Sequence, residues 1–130
     1  MKGVYVLVIS VSKDAKLNVG ALGGVNFEEG LYAYVGSAQN NLEKRIERHL
    51  GKVKRKFWHV DYLLDDDAVR VVKAFYREAG RSEECRIARR LAERGVAVEN
   101  FGCSDCSCIS HLFRVEDYDF LRDFMCEMLL

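Results

Sequence analysis

Apolar positions along the chain change period several times, and each change predicts an element. Residues 3–11, GVYVLVISV, are β-branched or aromatic almost throughout. They predict a buried strand with Tyr5, Leu7 and Ile9 on one face and Val4, Val6 and Val8 on the other. KLNVGALGGVNFEEG sets short apolar pieces among turn glycines, which predicts a hairpin-like excursion before a second strand at 31–36. A helical period follows: Asn40 or Asn41 caps it, Leu42, Ile46 and Leu50 form its apolar face, and Gly51 ends it. KFWHVDYLLDDD reads as a short helix, with Trp58, Tyr62 and Leu63 at helical spacing, and AVRVVKAFYR as a strand. RSEECRIARRLAERG is a helix with Ser82 as N-cap and Gly95 as its stop. A short strand at 111–115 and an amphipathic helix from about Tyr118 complete the order, which describes a small α/β (α+β) domain around a mainly antiparallel sheet.

Two helices carry polar residues where the pattern asks for apolar ones. Arg45 and His49, four residues apart, lie together at one border of the face made by Leu42, Ile46 and Leu50, whereas Arg48 points away from it. A guanidinium at the margin of a core needs an acceptor, either a structural carboxylate or a phosphate entering a cleft. On the later helix Ile87, Ala88 and Leu91 define the buried face, and Glu84 projects onto the middle of it while Glu83 projects outward. The helix dipole accounts for Glu83. An inward carboxylate without a partner is costly, so Glu84 should meet a cation such as Arg45, a metal ion, or both.

Composition adds bounds. At 130 residues and 49% hydrophobic content the chain suits one domain spanning 1–130, with a core at about 1–100 and a Cys-rich extension and C-terminal helix at about 101–130. The formal net charge is zero, yet residues 42–56 hold Lys44, Arg45, Arg48, Lys52, Lys54, Arg55 and Lys56 against Glu43 and Glu47, seven cations to two acids and locally +5. The balancing acids gather at 61–67 and 116–127, so a basic face and an acidic face are expected. The basic face is either solvated or holds phosphates by charge. The apolar runs are too short to span a membrane, and no leader pattern opens the chain. Five cysteines, with Cys85 and Cys126 alone in helical patterns, argue against a secreted disulfide framework and for a cytoplasmic protein.

Cys103, Cys106, Cys108 and His111 place four zinc-type ligands within nine residues. A structural Zn²⁺ would pin the C-terminal extension. Otherwise these are reduced thiols in a loop with Asp105 and His111 contributing hydrogen bonds, or Asp105 and His111 stand at the edge of a cleft.

GVY at 3–5, YVG at 34–36, LEKRIERH at 42–49 and a later helix with an inward Glu together resemble the GIY-YIG nuclease superfamily. The chain is most similar to its small stand-alone Uri-type members, grouped with the UvrC excision-repair nuclease domain and intron-encoded endonucleases. WHVDYLL and SDCSCISHLF look like features of that subgroup. The resemblance implies a three-stranded, mainly antiparallel sheet flanked by helices, with a C-terminal strand-helix extension. It implies a metal-dependent endonuclease that hydrolyses DNA phosphodiester bonds in repair, recombination or processing. Tyr5 and Tyr34 would be the site tyrosines, Arg45 the phosphate-stabilising group, His49 an auxiliary group, and Glu84 the ligand of Mg²⁺ or Mn²⁺. Gly36 would let backbone approach the site, and Ser37 stands where some relatives carry lysine. Gly36, Ser37, Lys44, Arg48, Lys52, Lys54 and Arg55 would bind the substrate. Tyr5 would take a proton from the attacking water; with an ordinary pKa of about 10 it needs positive charge nearby or a relay through Tyr34 or His49. No base-reading module is visible, so preference for structured or damaged DNA would come from a repair-protein partner. The rival readings are a catalytically silent nucleic-acid-binding module and a zinc-stabilised interaction domain.

Overall fold

The computed structural model describes the chain at all residues except 52–54 and 103–107. β1 (Gly3–Val11) is the central strand, paired antiparallel with β4 (Gly30–Ala38) on one side and β5 (Val69–Arg77) on the other. That position explains its apolar run, broken only by Ser10, since both its faces are covered. β2 (Ala15–Asn18) and β3 (Gly24–Phe27) form a separate two-stranded hairpin in the glycine-rich excursion. α1 (Leu42–Leu50) and α2 (His59–Leu64) follow β4, and α3 (Glu83–Ala92) follows β5. The cap of α1 is Asn41, whose side chain accepts from the Lys44 N–H at 3.2 Å.

The two helical layers lie on opposite faces of the sheet. Leu42 and Ile46 of α1 and Val60 and Leu63 of α2 pack with Tyr5, Leu7 and Ile9. Ile87, Ala88 and Leu91 of α3 pack with Val4, Val6 and Val8 on the other side. Strand alternation therefore sorts β1 as the sequence pattern predicts.

The sheet has six strands, not three. β6 (Gly95–Ala97), β7 (Leu112–Val115) and β8 (Cys126–Met128) extend it to the order β6-β7-β4-β1-β5-β8, antiparallel throughout. Residues 101–130 thus contribute a strand to each flank. The expected C-terminal helix is replaced by a 3-10 turn at Asp119–Asp123 and by β8. Leu121 and Met125 are buried at the spacing a helix would use, but the edge of β5 offers backbone hydrogen bonds that β8 takes, pairing Ala74 with Met128 and Tyr76 with Cys126. Glu127 secures this edge through Lys73 at 3.2 Å and Arg122. α3 stops at Ala92, before the expected glycine, because Gly95 already belongs to β6. A Cβ at Gly95 would lie 2.5 Å from the Arg114 carbonyl oxygen, so glycine here serves strand packing. Ser82 precedes α3 but its side chain makes no capping hydrogen bond. No helix among the described residues is long and apolar enough to cross a membrane.

Candidate active site

A cleft of about 690 Å³ opens at the end of the sheet where the two helical layers meet. Tyr5 from β1, Tyr34, Gly36 and Ser37 from β4, Arg45 from α1 and Glu84 from α3 all line it. β4 organises the convergence. Tyr34 lies on the face of α1, and Gly36, in the same alternation, sits directly opposite Tyr5 in the ladder. Ser37 turns to the other face and donates its hydroxyl to Glu84 Oε1 at 3.2 Å, while its carbonyl accepts from Arg45 Nη1 at 3.1 Å. Arg45 and Glu84, from opposite layers, are thus joined through one residue. Among the described residues the inward carboxylate meets Ser37 and His111, whose Nδ1 lies 3.3 Å from Glu84 Oε2.

Tyr5 lies over Gly36 so closely that a Cβ there would come within 2.5 Å of the phenol oxygen. That oxygen is 2.9 Å from His49 Nε2. Behind it, His49 Nδ1 faces Asp61 Oδ1 at 3.8 Å. The order Asp61, His49, Tyr5 therefore leads from the core to the cleft. Burial pushes the Tyr5 hydroxyl up to about 12, against the lowering effect of Arg45. Burial also lowers His49 to about 4, overcoming the attraction of Asp61, so the imidazole is neutral at pH 7. A neutral ring with its Nδ1–H toward Asp61 accepts the Tyr5 proton at Nε2. Tyr34 is raised well above the usual tyrosine range by burial and by its neighbour Tyr5, with the ring centroids 6.4 Å apart.

Asp61 is the residue the acidic-face reading misplaces: it is fully buried, not part of a solvated acidic surface. Arg48 reaches it with two bonds, 2.9 and 3.0 Å, and the backbone N–H groups of Phe57 and Trp58 donate to Oδ2 at 2.8 and 3.0 Å. Burial alone would raise its carboxyl; the Arg48 and backbone hydrogen bonds outweigh that and hold it below the usual range. Its signal in the sequence is one acid beside Val60 and Leu63, the buried positions of a short helix.

The remaining basic residues divide. Arg48 is committed to Asp61 and to the Arg55 carbonyl at 3.0 Å. Arg45 and Arg48 both stack on Trp58, their guanidinium carbons 4.4 and 4.6 Å from the ring centroid. Arg55 lies 5.5 Å from the ring of the exposed Phe57, which lines the cleft with Trp58. Lys44 is exposed on α1. Lys52, Lys54, Cys103, Asp105 and Cys106 lie outside the described residues. Cys108 and His111 meet Cys85 of α3, a residue the cysteine spacing does not single out.

His49 makes stability depend on pH. The unfolded chain binds a proton at its ring near pH 6.5, the folded chain only near 4. Its contribution is therefore fully present above pH 6.5 and is lost as pH falls toward 4, on the order of 3 kcal/mol in total. Urea denaturation of wild type at pH 6.5 and 5 should show about 1.6 kcal/mol of this loss, and His49→Gln should flatten that slope. An unchanged slope in the variant would mean that His49 is charged in the fold.

A family model described as Domain of unknown function DUF123 matches residues 4–129. This corrects the resemblance to the GIY-YIG superfamily, no model of which matches. The tripeptides that suggested it are aromatic and β-branched residues of the paired strands β1 and β4, a composition many antiparallel ladders share. Neither the curated proteins nor the solved structures give a match.

Proposed function

We propose that this chain, which belongs to the DUF123 family, is a metal-assisted phosphodiesterase that cuts DNA in the cleft between α1 and α3. The observation that carries the reading is the convergence of Tyr5, Tyr34, Arg45 and Glu84, remote in sequence, on one open cavity. The rim supports it: Phe57 and Trp58 interleave with Arg45, Arg48 and Arg55, a mixture of flat apolar faces and cations suited to bases and phosphates.

Glu84 fits a hard divalent cation. Ser37 approaches one carboxylate oxygen and His111 the other, and a carboxylate has about four acceptor sites, so it can also serve a cation in the cleft it lines. Mg²⁺ or Mn²⁺ held there would offset negative charge on the phosphate oxygens. Arg45 does the same from the opposite wall, its guanidinium fixed by Ser37 and Trp58. Water attacks phosphorus as the P–O ester bond breaks. Tyr5 receives the proton of the water while passing its own to His49 Nε2, and Asp61 stabilises the imidazolium. The leaving alkoxide takes a proton from solvent, and His49 returns its own to solvent through Tyr5. This relay suits a phenol held near 12, because no free phenolate has to form.

The same elevation favours a second reading, a silent nucleic-acid-binding module, since a buried neutral tyrosine is a poor base by itself. Plasmid, flap and junction DNA incubated with Mg²⁺ or Mn²⁺ distinguish the two. Cleavage is expected with wild type, abolished by chelator and reduced at least ~100-fold in Glu84→Gln with DNA binding retained. Binding without cutting across the panel selects the silent module, and absence of binding removes both readings.

A further inference from the structure

Cys85 sits in the first turns of α3, and Cys108 and His111 immediately precede β7, yet one ligand atom from each lies within 4.8 Å of the others. In a tetrahedral zinc site, Zn–S bonds near 2.3 Å and Zn–N bonds near 2.0 Å separate the donors by roughly 3.3–3.8 Å. The observed group is at most about 1–1.5 Å wider, a difference of the size that χ1 rotation of short thiol side chains covers. Two sulfurs and an imidazole form a donor set that suits zinc and disfavours Mg²⁺ or Ca²⁺. The Nδ1 of His111 faces Glu84 Oε2 at 3.3 Å, so a ring that keeps this carboxylate contact would ligate through Nε2 with Glu84 behind it.

We propose that Cys85, Cys108 and His111 bind Zn²⁺ as three of its ligands, at the wall of the cleft that Cys85 and His111 line. This differs from a site confined to the 103–111 segment, because one thiolate comes from α3. Each Zn–S bond forms as a thiol releases its proton to solvent, so loading liberates two protons. The ion ties α3 to β7 and steadies Glu84 through His111. The assignment does not rest on the cutting chemistry, and its readouts need no nucleic acid.

The test is metal analysis of full-length protein purified without chelator, followed by cobalt(II) replacement. About one zinc per chain is expected, with thiolate-to-cobalt charge-transfer absorption on exchange. Affinity should fall at least ~10-fold in Cys85→Ser and Cys108→Ser, on the scale that loss of a metal-site group produces. Cys126→Ser, which removes an exposed thiol on β8, should bind as wild type does. Cys85→His, which keeps a ligand, should retain cobalt with a shifted spectrum even if Cys85→Ser folds poorly by circular dichroism. Metal-free wild type that takes up no cobalt, or undiminished zinc in a folded Cys85→Ser, would overturn the assignment.

Discussion

Asp61→Ala is expected to destabilise the fold by about 3–5 kcal/mol, the range for removing one partner of a buried ion pair. At 130 residues this corresponds to a melting temperature roughly 11–18 °C lower. Four donors lose their acceptor at once: two from Arg48 and the N–H groups of Phe57 and Trp58. The Arg48 side chain is 28% exposed and can turn partly to water, which keeps the loss within that range. The two backbone donors have no such freedom without unwinding the start of α2. Asp61→Asn, which retains one side-chain oxygen, should fall between wild type and Ala. Thermal and urea unfolding of the three proteins read this directly. A loss below about 1 kcal/mol in Asp61→Ala would mean that the turn before α2 is held by something else.

Arg45→Ala is expected to lower cleavage, measured as kcat/KM, by about 10²–10³-fold, while stability falls by only about 1 kcal/mol. The division follows from geometry. The guanidinium donates to the Ser37 carbonyl, hydrogen-bonds the Tyr5 hydroxyl and lays its planar face on Trp58, 4.4 Å away, and it lines the cleft. Arg45→Lys keeps the charge but cannot both hold Ser37 and present a second parallel donor, so it should recover only part of the rate. Equal rates for Arg45→Ala and wild type would remove Arg45 from the chemistry, whatever happened to stability.

The legible parts of the fold were those whose signal is local. A strand buried on both faces is apolar almost throughout, and β1 is so but for Ser10; amphipathic helices write their buried face at a fixed spacing, as α3 does, whereas on α1 Leu42 and Ile46 are buried with His49 and the expected Leu50 is exposed. The inward placement of Glu84 followed from the same spacing. The outer strands were not legible, because pairing across the sheet decides them. β6 has three residues, and 118–128 carries a helical spacing in Leu121 and Met125 that the edge of β5 overrides. Cys85 was hidden because its neighbours come from more than twenty residues away. Asp61 looked like surface charge because it opens an acidic run whose later members, Asp65 and Asp67, are indeed exposed.

The contact between Tyr5 and position 36 binds two sites on adjacent strands into one heritable unit. Even the ring carbon bearing the hydroxyl would be 2.6 Å from an added Cβ, so trimming the phenol to phenylalanine would not make room. A drift from glycine at 36 is tolerable only after the aromatic ring at 5 has gone, and with it the route from His49 to the cleft. Anyone redesigning this corner has to exchange both residues in one step, because either order of single replacements passes through a sequence that lacks the ring or crushes it.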